Sequence, residues 1–439
     1  MIITNEVIPI IEIGIVYCLV VFGLLRCNNE NLTLLFIFKE VKTDYSYGCC
    51  SVRSNSESQM KLTCTQENFS RGLGIVNRAV ANRSTLPITQ NVLLTTDKSR
   101  LKLSATNLEI GITTWINAGD VDDEGAITVP ARLLSEFVNS LPSGNISLEL
   151  MPGSSVLELK CGNAEARING ADADEFPPIP AVDEGVGARI EQGILKNAIN
   201  RVAFAAATEE SRPVLTGVEV RLDGNNFTLA AADGFRLAVQ HGSLIEQVDQ
   251  NVEVIIPART LNELGRLLGN LTDSVEILMT PGKGQILFRL PDIELVSQLL
   301  QGAFPNYDQL IPQGYQTRAI FDLSEFLRAT RSAAIFARDG SNIIRVEVVP
   351  EDTGTSAGKA LISARSEDVG DNNDRIDVES IEGDESKIAF NSRYLQEVLS
   401  VFERRQIALE TTTPSSPGVF RPVDSEDYVH VVMPMFVQW

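Results

Sequence analysis

The sequence predicts an α+β protein built from one unit written three times. Three observations carry this. First, Thr128-Val129-Pro130-Ala131-Arg132-Leu133-Leu134-Ser135-Glu136-Phe137 recurs as Ile255-Ile256-Pro257-Ala258-Arg259-Thr260-Leu261-Asn262-Glu263-Leu264, and in more altered form as Ala389-Phe390-Asn391-Ser392-Arg393-Tyr394-Leu395-Gln396-Glu397-Val398. The repeated arginine advances by 259 − 132 = 127 positions and then by 393 − 259 = 134. Second, other landmarks keep the same step. Phe176-Pro177 and Phe304-Pro305 lie 128 apart, and Ala105-Thr106-Asn107-Leu108-Glu109 and Ala231-Ala232-Asp233-Gly234-Phe235 lie 126 apart, with Ala364-Arg365-Ser366-Glu367-Asp368 a weaker third. So long a period marks repeated domains, because solenoid units are far shorter. Third, 439 residues with 44% hydrophobic content suffice for three domains, each with its own core.

Each unit opens with a helix, expected over 66–81, 191–206 and 322–338. Leu73, Val76 and Val80 in the first, and Phe326, Ala329, Ala333 and Ala334 in the third, recur at helical spacing. Strands follow over 91–95, 101–104, 218–222, 227–231, 344–349 and 360–363. Turns such as Asp223-Gly224-Asn225-Asn226 and Pro281-Gly282-Lys283-Gly284 separate strands as hairpin loops do. The Pro-Ala-Arg sentence then starts a second helix, over 131–140, 258–270 and 391–405, because proline commonly precedes or opens a helix. Strands over 147–150, 156–161, 276–279, 286–290 and 428–432 close the units. Two helices against antiparallel sheet make an α+β unit. The third unit carries an acidic insertion, 366–387, expected to be a solvated loop. Asp233 and Asp368 stand at repeated positions, which suits a structural role in a turn.

The segment before Met60 carries none of these landmarks. Residues 7–25 are almost continuously apolar, broken by Glu12, and long enough to span a bilayer. Arg26 is the first basic residue, so a secretory signal does not fit. A membrane anchor is one reading; upstream sequence carried in by a start codon placed too early is the expected one. The domains are then expected at 60–182, 183–314 and 315–439, after an extension over 1–59.

The net charge of −21 argues by itself against a nucleic-acid binder, which usually carries a basic surface. Its distribution argues the other way. The six expected helices carry thirteen basic and eight acidic residues, a net of +5, while the rest of the chain nets −26. Amphipathic helices often carry arginine on a solvated face, yet here six helices share the bias in an acidic chain. Three like domains invite a ring or an arc. A cationic lining inside an anionic shell would hold a polyanion by sequence-independent phosphate contacts that permit sliding. The six cysteines, four of them in the first fifty residues, form no disulfide framework and fit a reducing, cytoplasmic setting. With only His241 and His430, a zinc site is not expected. No phosphate loop, Gly-x-Ser-x-Gly or metal cluster supports an enzyme, and no catalytic residue or cofactor is expected.

From Met60 to Trp439 the chain resembles the bacterial DNA polymerase III beta subunit family, the sliding clamps. The resemblance rests on Ser84-Thr85-Leu86-Pro87-Ile88, Val129-Pro130-Ala131-Arg132, Ala232-Asp233-Gly234-Phe235-Arg236-Leu237-Ala238, Phe304-Pro305-Asn306-Tyr307 and the terminal Val431-Val432-Met433-Pro434-Met435. It implies three clamp-like domains per chain and a head-to-tail homodimer. The closed ring has helices facing a central hole and sheets outside. It implies no catalysis: the clamp encircles duplex DNA and tethers the polymerase. The DNA-facing cations would be Arg71, Arg78, Arg83, Arg132, Lys196, Arg201, Arg259, Arg266, Arg328, Arg331 and Arg393. It also implies a pocket shared by the polymerase catalytic subunit, the clamp loader and other proteins with clamp-binding motifs. Its walls would be Leu215, Gly234, Phe235, Arg236, Leu237, Pro305, Leu310, Ser416, Val431, Met433, Pro434 and Met435. A greasy slot with adaptable methionines suits short peptides ending in a bulky apolar residue.

Besides the acidic insertion 366–387, the chain departs from the family in three places. Phe235 stands where relatives often have histidine, which makes the rim more apolar. Acids around Glu209-Glu210 replace a DNA-contacting segment of some relatives. The chain also continues past Met435 as Phe436-Val437-Gln438-Trp439, two aromatics beside the expected pocket. A membrane-anchored clamp-like scaffold using residues 7–25 is the alternative reading.

Overall fold

In a computed structural model, the described residues are 60–439 apart from 82–84, 152, 181, 183–184, 210, 270–271, 281, 283, 352–356 and 404. The extension 1–59, with its apolar run, lies outside them, as does Arg83. Among the described residues, no helix is long and apolar enough to cross a membrane.

The repeat is plain in the element order. The first copy runs β1 (Lys61–Thr65), α1 (Gln66–Val76), β2 (Asn91–Asp97), β3 (Arg100–Thr106), β4 (Ile110–Asn117), β5 (Val121–Asp123), β6 (Ala126–Pro130), α2 (Ala131–Ser140), β7 (Asn145–Leu150), β8 (Val156–Cys161) and β9 (Ala164–Asn169). The second runs β10 (Val186–Glu191), α3 (Gln192–Val202), β11 (Gly217–Asp223), β12 (Asn226–Ala232), β13 (Arg236–Ser243), β14 (Val252–Pro257), α4 (Ala258–Leu267), β15 (Ser274–Met279), β16 (Gln285–Arg289) and β17 (Ile293–Gln298). The third runs β18 (Thr317–Asp322), α5 (Leu323–Arg338), β19 (Ile343–Pro350), β20 (Gly358–Ser366), β21 (Gly370–Val378), β22 (Ser380–Gly383), β23 (Ser386–Asn391), α6 (Ser392–Ser400), β24 (Gln406–Thr411), β25 (Gly418–Pro422) and β26 (Tyr428–Val432).

Local chemistry sets the helix starts. Thr65, Asp322 and Asn391 cap α1, α5 and α6 by accepting backbone N–H bonds with their side chains. Pro130 and Pro257 stand at the cap of α2 and α4. The first helix of each copy ends sooner than its periodicity suggests in two cases. Asn77–Ala79 and Ala203–Ala205 tighten into 3-10 turns, where the last helical carbonyls find partners in a narrower winding. The second helices α4 and α6 also end early, at Leu267 and Ser400. In each copy the two helices pack on each other, and the first lies across a strand pair: β3 and β4, β12 and β13, β20 and β21.

The acidic insertion 366–387 is strand, not a solvated loop. β21 pairs with β20 over nine residues, and β22 pairs with β18. Ile376 and Val378 are buried at strand spacing between polar residues on β21, and Ile381 is buried on β22. Polar composition concealed the period-2 alternation of a strand with one dry face.

Strands of different copies merge into common sheets. The eight-stranded order β10-β15-β16-β17-β4-β3-β2-β6 joins the first and second copies through β17 and β4. The nine-stranded order β14-β11-β12-β13-β26-β25-β24-β18-β22 joins the second and third through β13 and β26. Two smaller sheets remain, β5-β1-β7-β8-β9 in the first copy and β21-β20-β19-β23 in the third. By the repeat, β9 matches β17 and β26, while β21 matches β4 and β13. Each of these two strands ends its sheet.

Candidate partner slot and basic helix faces

Strand alternation divides the nine-stranded sheet into two faces. Val218, Val220, Leu222, Phe227, Leu229 and Ala231 join the main core with the helices. The other face forms a second apolar cluster of Leu215, Ala230, Ala232, Leu237, Val239, Ile255, Val419, Val429 and Val431, closed over by Phe304 and Tyr307. Its rows follow from the ladder register. Ala232, Leu237 and Val431 lie side by side, and Ala230, Val239 and Val429 form the next row. Residues 300–311 form a strap over these rows. Leu300 bridges to Ile255, and Phe304 and Tyr307 pack edge-on at 6.2 Å.

The rim of this slot is apolar and open. Phe235 is 58% exposed, Leu310 55% and Met433 45%, a grouping of the kind that marks an interaction surface. The Met433 N–H donates to the Phe235 carbonyl at 2.8 Å, and the Phe235 ring stacks on Tyr394 at 6.5 Å. Gly234 turns at φ +93°, with the Arg212 guanidinium 3.0 Å from where a Cβ would stand. Asp233 Oδ1 accepts from the N–H groups of Phe235 and Arg236, the turn role expected of it. Pro305 rides exposed on the strap. Ser416 lies in the turn before β25, two residues from Gly418, which pairs with Val432. Pro434 is buried, and the Met435 N–H donates to Ala389 of β23. The tail 436–439 is tied to β19: Arg345 donates to the Gln438 carbonyl at 3.2 Å and stands 6.0 Å over the Trp439 ring.

One expected wall residue does not face the slot. Arg236 alternates with Leu237, so its side chain points to the helix face and is 7% exposed. There its Nε donates to Asp233 Oδ2 at 3.1 Å, one terminal nitrogen to the Phe204 carbonyl at 2.7 Å, and the other to Glu397. The guanidinium lies 5.1 Å from the Phe204 ring and 4.7 Å from the Tyr394 ring. Burial, followed by Arg236, pushes neighbouring His430 down to about 3, and this imidazole stacks on Phe204 at 5.5 Å. Arg236 is the tie behind the wall. The sequence reading also passed over Val239, Val429 and Val419. Extending the Leu237 and Val431 alternation by two residues would have found the first two.

The basic helix residues are less free than their count suggests. Arg78 on the 3-10 turn after α1 reaches Glu263 of α4 at 3.2 Å, and Arg266 reaches the same carboxylate at 2.6 Å. Arg132 pairs with Glu136, Arg201 with Glu403, Arg328 with Asp374 and Arg393 with Glu397. Arg201 also donates to Gln240 and lies 5.9 Å from the Tyr428 ring, so it belongs to the junction of the second and third copies. Lys196 is partly exposed on α3. Arg71 meets the Asn68 amide, while Arg259 and Arg331 stand exposed without a carboxylate among the described residues.

From residue 60 to residue 436 the chain matches, in order, three family models of the DNA polymerase III beta subunit. The N-terminal domain matches residues 60–180, the central domain 189–306 and the C-terminal domain 308–436. It is 30% identical over 384 residues to the beta sliding clamp of Bacillus subtilis (strain 168), covering 86% of this chain and 99% of that one. It is 32% identical over 395 residues to the beta sliding clamp of Synechocystis sp., with the same coverage. Among solved structures, the Bacillus subtilis DNA polymerase sliding clamp superposes with TM-score 0.81 at 30% identity, covering 87% of this chain and all of that one. A Pseudomonas aeruginosa sliding clamp bound to griselimycin superposes with TM-score 0.79 at 27% identity, over 86% of this chain and all of the other.

Proposed function

The chain belongs to the DNA polymerase III beta subunit family and is a DNA sliding clamp, and we propose that it closes around duplex DNA by pairing β21 of one copy with β9 of a second, head to tail. It is a non-catalytic processivity factor whose partners are DNA and the replicative polymerase.

The observation that carries the closure is the state of equivalent positions at filled and open junctions. The ladders set the repeated alanines 105, 231 and 364 opposite Ile112, Ala238 and Asn372, so Ile110, Arg236 and Gly370 are equivalent, and Val369 matches Phe235, which stacks on Tyr394. Counting from the repeated arginines 132, 259 and 393, Leu133, Thr260 and Tyr394 are equivalent too. Twelve residues into the first helix of each copy stand Arg78, Phe204 and Ile335. At the second junction, Phe204, Arg236 and Tyr394 form one stack. At the first, Ile110 and Thr260 are buried at 2% and 0% exposure. The remaining set, Leu133, Ile335 and Val369, is 52%, 62% and 51% exposed. Three aliphatic side chains thus stand in water where their counterparts form contacts. A second copy brings Leu133 of one chain against Ile335 and Val369 of the other, and satisfies both unpaired edges, which otherwise invite uncontrolled pairing.

In the resulting ring the basic helix faces meet the DNA. Arg71, Arg259 and Arg331, which have no carboxylate among the described residues, make the principal phosphate contacts. The pairing of the other arginines keeps the grip loose enough to slide. The clamp loader and other proteins with clamp-binding motifs use the slot through a short apolar peptide, in the cytoplasm. The proposed domains span 60–182, 183–314 and 315–439, with 1–59 outside the clamp. The test is topological. The protein loaded on nicked circular duplex should stay bound through a salt wash and be lost once the circle is linearised; equal retention on both forms excludes encirclement.

A further inference from the structure

One residue in the slot's floor is out of keeping with its row. The ladder places Glu219 beside Ala230, Val239 and Val429, on the slot face. Glu219 is 1% exposed. Among the described residues, neither buried carboxyl oxygen has a well-aligned hydrogen bond; Arg221 Nε is an ion-pair partner at 2.8 Å, and Glu253 and the strap's Tyr307 bear on the same carboxyl. An unsatisfied buried carboxylate is costly, and the usual relief is to take up a proton or to reach water.

The group above it is the strap. Tyr307 is 3% exposed, and the Arg221 guanidinium lies 4.9 Å from its ring. The strap's Asp308 stands 3.9 Å from Arg221, as does Glu253 of β14. On β13, His241 continues the row of Arg221 and Thr228 and bonds Thr228 Oγ1 at 3.0 Å. The charged and titratable groups around Glu219 are therefore Arg221, Glu253, Tyr307, Asp308 and, one row on, His241. The same strap carries Pro305 and Leu310, and Gly302 at φ +135° gives it a turning point.

We propose that Glu219 is a proton-operated latch on the strap, so that the slot holds its partner more tightly when this carboxyl is protonated. The proposal rests on the reading of the slot as the partner site. With Glu219 neutral, the strap lies closed at little electrostatic cost. Burial above all, opposed by Arg221 and reinforced by Glu253, pushes this carboxyl up to about 7. Ionisation then favours a lifted strap that lets water reach the carboxylate, and Pro305 and Leu310 leave the slot with it.

Amide hydrogen exchange of residues 303–310, corrected for intrinsic rates, reads the strap in the unmodified protein without any peptide. Its opening equilibrium should rise about tenfold between pH 6 and pH 8, as one proton with a displaced affinity requires. Fluorescence anisotropy with a short peptide ending in leucine and phenylalanine should show affinity falling over the same range, by up to about tenfold. Both trends should vanish in Glu219→Gln and persist in His241→Gln. Opening or affinity that stays level with pH, or a Glu219→Gln protein that keeps the slope, overturns the latch. A peptide that binds at no pH removes the slot reading instead, and the exchange data still decide whether the strap responds to the proton.

Discussion

The filled junction at β13 and β26 and the open edges at β9 and β21 use the same repeat positions with opposite chemistry. The filled junction buries an arginine between two rings and neutralises it with Asp233 and Glu397. The open edges offer three aliphatic side chains, while Glu136, the counterpart of Glu397, pairs among the described residues with Arg132 of its own helix. A buried ion pair is hard to assemble from two separate surfaces, because both partners must be desolvated before they meet. Aliphatic side chains release water and need no angular match. The chain places its polar tie where folding makes the joint permanent, and leaves oil at the edges proposed to meet a second copy.

The sharpest way to break this comparison is Arg236→Met. It leaves Glu397 to Arg393 alone and Asp233 to its backbone donors, strips the packing between Phe204 and Tyr394, and should lower unfolding stability by about 3 kcal/mol, read by urea denaturation; a loss below about 1 kcal/mol would make the tie incidental. Acid should open the same junction before the first one. His430 is held neutral with its affinity depressed, so its stabilising effect is complete above its ordinary range and is lost as pH falls from about 6.5 towards 3. By pH 4 the expected loss is about 2–3 kcal/mol. The arginines that hold Glu397 below the usual carboxylate range outweigh its burial, and that contribution is lost lower still. Exchange at pH 4 should be faster in β26 than in β17; equal protection would place the acid sensitivity elsewhere.

At the open edges, Ile335→Asp and Leu133→Asp should each weaken dimerisation by about a hundredfold without unfolding the chain. Sedimentation equilibrium checks this, and two variants with unchanged association would move the seam. The smallest effect belongs to the slot rim. Met433 is 45% exposed in the free protein, so Met433→Ala should weaken a bound apolar peptide about threefold to tenfold, corresponding to roughly 1 kcal/mol. Anisotropy with the same peptide reads it, and no change would take Met433 out of the contact.

Much of the fold was legible because it is repeated: helix starts at the Pro-Ala-Arg sentence and strand pairs around the turns fall where the sequence puts them, and Leu237 and Val431 share one apolar cluster. What was not legible depends on partners far away in the chain. Arg78 counts as a free cation on its helix until Glu263, 185 residues later, is folded against it. Arg236 shares a motif with Leu237, yet neighbouring strand positions face opposite ways, so a motif that names both says nothing about which one a partner meets. The insertion 366–387 failed for another reason. Its aspartates and asparagines suppress mean hydropathy, and only the alternate burial of Ile376 and Val378 reveals a strand.

The backbone ladders at the two internal joints have a mechanical consequence. Five residue pairs cross each of them, β17 to β4 and β13 to β26. A pull that separates neighbouring domains acts along the hydrogen-bond direction of the sheet, so the load is shared among rungs that depend on no particular side chain. Such a splice tolerates drift. The residues beside it have become Thr260 at one joint and Tyr394 at the other without loss of the seam, and a strand end with the right spacing is enough to receive the next.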